Sequence, residues 1–144
     1  MAEYRYTCAL TGYRRVTDDG AAVVDAAHIE QWARTQNDDL ANGLALSNCR
    51  SGRPRGHGRQ TAHRGAPKHP RAGGWMFDEG LWSADNELRV IVNARRFSEN
   101  GPEPLRLTSF VGRHLQFDPM ARLRPSVEYL RNHRTHHGWR VCGL

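Results

Sequence analysis

The spacing of apolar and polar positions divides the first part of the chain into short elements. Residues 4–10 alternate aromatic and polar side chains, and the apolar run 21–29 follows a polar turn, so these segments are predicted to form a hairpin of two strands. Asn42 and Gly43 then predict a turn that leads into a helical turn at 44–46. Strand and helix signals therefore alternate over short distances.

The second half of the chain continues this mixture. Asp85 and Asn86 separate two apolar segments and predict a second hairpin. Pro125 suits the first position of a helix, because its fixed φ angle is helical and an N–H group there would have no partner. The predicted elements are strands at 81–83, 87–93, 105–110 and 114–117 and a terminal helix from Ser126 to about His136. The predicted fold class is α+β with local connections.

Residues 48–74, which we call the basic segment, differ from the rest in composition. The segment contains seven basic residues, three histidines and no acidic residue. The whole chain has 144 residues and a formal charge of +6, but outside this segment 14 basic residues face 15 acidic ones. The length suits one domain. The excess positive charge, which favours a polyanionic partner such as nucleic acid, therefore belongs to the basic segment alone.

Cysteine content and hydropathy exclude several classes of protein. The three cysteines include no C-x-x-C pair, so neither a disulfide framework nor a zinc ribbon is indicated. A structural metal module built from Cys8, Cys49 and histidines would lack the paired-ligand spacing of a zinc knuckle. The N-terminus has no apolar core of a signal peptide, and no apolar run is long enough to span a membrane, so we expect a cytoplasmic protein.

Short motifs in a fixed order carry the strongest functional signal. They read CALTG at 8–12, AAHI at 26–29, NGLAL at 42–46 and FDEGL at 77–81. In this order they resemble a branch of the HNH endonuclease family, whose members carry C-x-x-T-G, A-A-H-I, N-G-L-x-L and F-D-x-G-L. The resemblance covers about residues 4–93 outside the basic segment and, more loosely, the final helix.

The resemblance implies both a fold and a reaction. The fold is a ββα-metal core, also called a His-Me finger, with an added β-hairpin and a C-terminal helix. Residues 1–97 would form the nuclease domain and residues 98–144 an extension of the same domain. The reaction is hydrolysis of DNA phosphodiester bonds by a restriction-type or mobile-element enzyme, with Mg²⁺ or Mn²⁺ as cofactor. A specificity domain upstream in longer relatives is a further expectation.

Three residues take their roles from this resemblance. His28 is the general base, since a neutral imidazole can accept a proton from water near neutral pH. Asn42 orients this base and braces its loop, and Asp78 binds the metal. Each residue also has a purely structural alternative. These are a hydrogen-bonded histidine at a strand end, an asparagine favoured by its turn, and an aspartate in an Asp-Glu-Gly turn.

Two positions depart from the family pattern. Many family members place a metal-binding aspartate directly before the base, whereas this chain has Ala27 there and its nearest carboxylate is Asp25. The family's last histidine, a metal ligand, stands four residues before the Asp of the F-D pair, and here that position is Gly74. His63, at the end of the sequence QTAH, is the first candidate to replace this ligand.

Three interpretations of the basic segment stay open. It is a functional insertion whose arginines bind DNA phosphates, a disordered loop without a role, or a translation in the wrong frame that leaves a defective enzyme. The candidate phosphate-binding residues are Arg53, Arg55, Arg59 and Arg64. The alternative to an endonuclease is correspondingly a non-catalytic, nucleic-acid-binding remnant of one.

The C-terminal helix ends in a cluster of histidines. His133 and His137 are spaced one helical turn apart, so both could face one metal ion. The other interpretation is a solvated helix end, where cationic side chains interact favourably with the helix dipole. The sequence favours the solvated helix end.

Overall fold

The computed structural model describes residues 4–18, 20, 24–47 and 72–139. Its strands are β1 (Val24–His28), β2 (Gly43–Ser47), β3 (Trp82–Ala84) and β4 (Val90–Val92). Its α-helices are α1 (Trp32–Thr35), α2 (Ala72–Asp78) and α3 (Val127–His136), and short 3-10 helices lie at Leu40–Asn42, Glu103–Leu105 and Leu107–Phe110. Several candidate residues lie outside the described ranges, namely Arg53, Arg55, Arg59, His63 and Arg64.

β1 and β2 form an antiparallel pair in which His28 lies opposite Gly43. The prediction of a helical turn at 44–46 is wrong, because these residues belong to β2. All three are at most 1% exposed. A strand that is buried on both faces has a continuous apolar run. In the sequence, a run this short looks the same as a buried helical turn.

Residues 4–10 do not form the predicted partner strand of β1. They form mostly turns, and Arg5 and Tyr6 have positive φ angles of 47° and 58°, which lie outside the β region. The segment is nevertheless tied to β2, because the amide of Ala9 donates to the carbonyl of Ala45 at 2.7 Å. The CALTG motif is therefore a turn beside β2 in which Cys8, Ala9 and Leu10 are buried and Thr11 and Gly12 are exposed.

α2 packs against both β1 and β2, so these two strands and the helix that follows them form one spatial unit. Phe77 of α2 is fully buried. Its ring and the ring of Trp82 pack edge to face, with centroids 4.9 Å apart. The helix begins at Ala72. The last three residues assigned to the basic segment therefore belong to α2, and residues 48–71 lie outside the described ranges.

The second predicted hairpin is confirmed, with Trp82 of β3 opposite Val92 of β4. Asp85 forms its turn. The carboxylate of Asp85 accepts hydrogen bonds from the amides of Glu87 at 2.8 Å and Arg89 at 2.9 Å. Aspartate is favoured in turns for this reason, since its side chain satisfies backbone donors that the turn leaves open.

The predicted strands at 105–110 and 114–117 are wrong. The first is replaced by two 3-10 helices, and the second makes a single isolated bridge. The carboxylate of Glu99 accepts the amides of Leu107 at 2.6 Å and Thr108 at 3.0 Å. These bonds satisfy donors at the start of the second 3-10 helix, so the turn is stabilised without a strand partner.

The predicted terminal helix is confirmed as α3. The hydroxyl of Ser126 caps it by accepting the amide of Tyr129 at 3.4 Å. The predicted place of Pro125 at the first helical position is wrong, because Pro125 lies before this cap. Leu130 of α3 is fully buried in a core that also contains Leu107 and residues of the four strands. Among the described residues, no helix is long and apolar enough to cross a bilayer.

Candidate active site

His28 is the last residue of β1, where the chain leaves the strand pair. Its side chain is half-buried and lines a shallow cavity of about 130 Å³. Tyr4, Asp39 and Leu123 line the same cavity. An imidazole in this position combines a backbone fixed by strand pairing with access from solvent, and a general base requires both.

Asn42 is fully buried directly before β2. Its side-chain oxygen accepts the amide of Glu30 at 2.7 Å, and its Nδ2 donates to the carbonyls of Glu30 at 3.2 Å and Asn37 at 2.9 Å. Its own carbonyl accepts the amide of Ile29 at 2.8 Å. Both N–H donors of the side chain are thus used, and Asn42 braces the loop that follows His28.

Asp78 is the last residue of α2, with its side chain at the surface. The pKa of its carboxyl is raised from 3.8 to about 6, first by partial desolvation and then by the charge of Glu79, while the charge of His28 acts in the opposite direction. α2 therefore brings Asp78 within electrostatic reach of His28. A carboxylate at the C-terminal end of a helix is also unfavourably placed in the helix dipole.

Asp25 does not join these residues. It lies three positions before His28 on the same strand and pairs with Leu46. Because successive side chains of a strand point to opposite faces, Asp25 and His28 face different sides of the pair and are separated by roughly 10 Å along it. The strand pair therefore does not bring Asp25 to the side of His28, and a role for Asp25 as a metal ligand stays a prediction.

The described residues do not complete a site for a divalent cation. In the described part of the chain, no group of three or more His, Cys, Asp or Glu side chains could hold a metal ion. Of the metal ligands expected from the sequence, Asp78 lies within electrostatic reach of His28, the expected base. The position one helical turn before Asp78 is Gly74, and a Cβ atom built there would meet nothing within 4 Å. The candidate replacement His63 lies outside the described ranges.

His133 of α3 is a buried structural residue that the sequence interpretation missed. It is 3% exposed, and its ring stacks on Phe77 with centroids 4.0 Å apart. Its Nε2 lies 2.9 Å from the carbonyl of Phe77, which can only accept, so Nε2 is the donor. Its Nδ1 therefore accepts the hydroxyl of Ser83 at 3.1 Å. Desolvation lowers the pKa of His133 from 6.5 to about 4, so the imidazole is neutral at pH 7.

This arrangement places α3 behind the end of α2. Phe77, whose carbonyl is held by His133, directly precedes Asp78. The expected solvated helix end is therefore wrong for His133, although His136 is exposed. One signal in the sequence points to burial: Leu130 precedes His133 by three positions, so both lie on the same helix face.

α3 also contacts the loop that follows His28. Asn132 Nδ2 donates to the carboxylate of Glu30 at 2.8 Å, and the hydroxyl of Tyr129 donates to Asp39 at 3.1 Å. The helix thus bonds to the α2 end on one side and to the loop braced by Asn42 on the other. These long-range contacts hold the segments that carry the candidate site residues.

The comparisons with known proteins agree with this architecture. No protein-family model matches the chain, and no curated protein matches it. Among solved structures, it is similar to the "Modification dependent TagI restriction endonuclease", with a TM-score of 0.55 and 19% identity over 94% of this chain. At this identity the likeness shows a shared fold. The chain spans 34% of the TagI chain, about a third of its length.

Proposed function

We propose that the protein is a DNA endonuclease of the HNH type in which His28 is the general base. One observation carries the proposal: α2 and its packing on β1 and β2 bring Asp78 into electrostatic reach of His28, beside a loop braced by the buried Asn42. These residues come from three separate motifs. The fold shared with a restriction endonuclease supports the same reaction class.

The chemistry assigned to this chain is proton transfer at His28. The imidazole accepts a proton from the water whose oxygen bonds to phosphorus. The bond from phosphorus to the 3′ oxygen breaks, and this oxygen takes a proton from solvent and leaves as the 3′ hydroxyl. Asn42 keeps the loop after His28 in place. Dependence on Mg²⁺ or Mn²⁺ is part of the proposal, since such an ion neutralises phosphate charge. The described residues do not complete its ligand set, so no step is assigned to it.

Nicking of supercoiled plasmid with Mg²⁺ or Mn²⁺ tests the role of His28. His28→Ala is expected to lower the nicking rate by about 10²–10⁴-fold, the usual contribution of a general base. His114→Ala is the matched control, because His114 is an exposed histidine whose ring contacts the carbonyl of Glu87. Cleavage that is unchanged in His28→Ala would remove His28 from the mechanism.

Gly74 favours a second candidate function, a nucleic-acid-binding remnant that has lost cleavage. The position that carries a metal-binding histidine in the resembled family carries no side chain here. This candidate predicts salt-sensitive DNA binding together with no cleavage in either Mg²⁺ or Mn²⁺. Metal-dependent nicking by the unaltered chain that His28→Ala abolishes would exclude it.

A further inference from the structure

Four cationic or titratable side chains from three separate segments meet at the end of α3. We call them the Arg/His cluster: Arg34, Arg96, His136 and His137. The guanidinium of Arg34, on α1, donates to Nδ1 of His136 at 3.1 Å. The rings of His136 and His137 lie 4.9 Å apart. Arg34 and Arg96 both act electrostatically on His137, although the members of the cluster are distant in sequence.

The cluster lies beside the candidate active site. A Cβ atom added at Gly80, two residues after Asp78, would lie 2.6 Å from the Cβ of His137, so the histidine packs directly on this glycine. Arg96 donates to the carbonyl of Glu79 at 3.0 Å. The segment that carries Asp78 is therefore flanked by the cluster.

No carboxylate of the described residues neutralises the two arginines of the cluster. In the described part of the chain, neither Arg34 nor Arg96 forms a salt bridge. Burial lowers the pKa of His137, and the charges of His136, Arg96 and Arg34 lower it further. The carboxylate of Glu79 acts on His137 in the opposite sense and raises its pKa. A bound anion would relieve this repulsion.

We propose that the Arg/His cluster binds a backbone phosphate of duplex DNA next to the phosphodiester addressed by His28. This inference rests on the proposed function and adds the surface that would hold its substrate. Two exposed guanidinium groups suit a phosphodiester because each offers several N–H donors in a fixed plane. Contacts of this kind position a nuclease on DNA without reading sequence.

The dissociation constant of the full chain for a duplex oligonucleotide, measured in EDTA over a series of salt concentrations, tests the proposal. Arg34→Gln and Arg96→Gln are each expected to weaken binding about 5–10-fold at low salt and to reduce the slope of log affinity against log salt by about 1. Arg106→Gln is the matched control. Arg106 is exposed and donates to the carbonyl of Gly101, as Arg96 does to Glu79.

The outcomes separate this inference from the proposed function. If Arg34→Gln and Arg96→Gln bind DNA like Arg106→Gln, the phosphate site is wrong even if His28-dependent nicking is observed. If nicking is absent but both variants weaken DNA binding and reduce the salt slope, the proposed endonuclease function is wrong and the proposed phosphate site is supported. If the two variants lose affinity for inorganic phosphate alone, with DNA affinity unchanged, the site binds a free anion and the proposal is overturned.

Discussion

At the scale of single residues, the proposed function gives His28 the chemistry and Asn42 the support. His28 is half-buried and faces a cavity, whereas Asn42 is fully buried and uses its side chain on the backbone of Glu30 and Asn37. A buried amide whose donors are all paired is expensive to replace, because each partner left unpaired costs about 1–3 kcal/mol. Asn42 is therefore a residue of the fold as much as of the site.

Asp78 is expected to lower stability at neutral pH. Its folded pKa of about 6 lies above the ordinary 3.8, so the folded chain binds the proton more tightly, and stability is lost as pH rises through this interval. Asp78→Asn should raise the free energy of unfolding at pH 7 by about 0.5–1 kcal/mol, a value discounted because the side chain is exposed. Urea unfolding should show the gain at pH 7 and not at pH 4.

The matched control for this substitution is Glu128→Gln. Glu128 lies in the first turn of α3, where a carboxylate is favourable, so its removal should not stabilise the protein. If Asp78→Asn destabilises the protein at pH 7, the carboxylate makes a favourable contact and the proposed electrostatic cost is wrong.

At the scale of the element, α2 offers a direct test of the incomplete ligand set. Gly74 and Asp78 are four positions apart in the helix and so lie on one face. Gly74→His would place an imidazole one turn from Asp78, where the glycine has open space. We expect the nicking rate in Mg²⁺ or Mn²⁺ to rise at least about 10-fold, because an added metal ligand would stabilise the transition state. A 10-fold rise corresponds to about 1.4 kcal/mol.

Gly74→Ala controls for the helix itself. Alanine removes the conformational cost of glycine in a helix, about 1 kcal/mol, without adding a ligand. Nicking that rises equally in both variants would attribute the gain to helix stability. Activity that stays at the level of the unaltered chain in Gly74→His, with the protein folded, would mean that this position does not serve the metal.

α3 is the element whose stability depends on pH through His133. The folded pKa of about 4 lies below the ordinary 6.5, so the unfolded chain binds the proton first. The stability that His133 contributes is fully present above pH 6.5 and is lost as pH falls toward 4. His133→Gln should lower the free energy of unfolding at pH 7 by about 2 kcal/mol, because it removes a buried stack on Phe77.

The difference between wild type and His133→Gln should shrink between pH 6.5 and pH 4. Urea unfolding at both values measures it, and His114→Gln, at an exposed histidine, should change stability little at either pH. A difference that grows on acidification would contradict the neutral, buried state of His133.

At the scale of the whole molecule, the excess positive charge belongs to one part of the sequence. Residues 48–71 hold seven basic residues, and without them the formal charge falls from +6 to −1. Replacing these seven residues with glutamine should weaken DNA binding at least about 10-fold at low salt. The free energy of unfolding should change by less than about 0.5 kcal/mol, because none of the seven is apolar. Binding that is unchanged would assign DNA contact to the Arg/His cluster instead.

The sequence by itself determined the features that depend on neighbours in the chain. Asp85 sets the β3–β4 turn and Ser126 caps α3 through bonds to residues two to four positions away, so both elements could be predicted. The positions of His28 and Asn42 at element ends could be read in the same way, from the apolar run and the turn beside them.

The tertiary structure decided what depends on distant partners. Residues 44–46 are a strand because β1 pairs with them, and the apolar run alone fits either a strand or a buried helical turn. The burial of His133 against Phe77, the reach from Asp78 to His28 and the meeting of Arg34 with His136 each join segments far apart in sequence. Local sequence patterns do not predict such contacts, because the contact energies arise only when distant segments pack together.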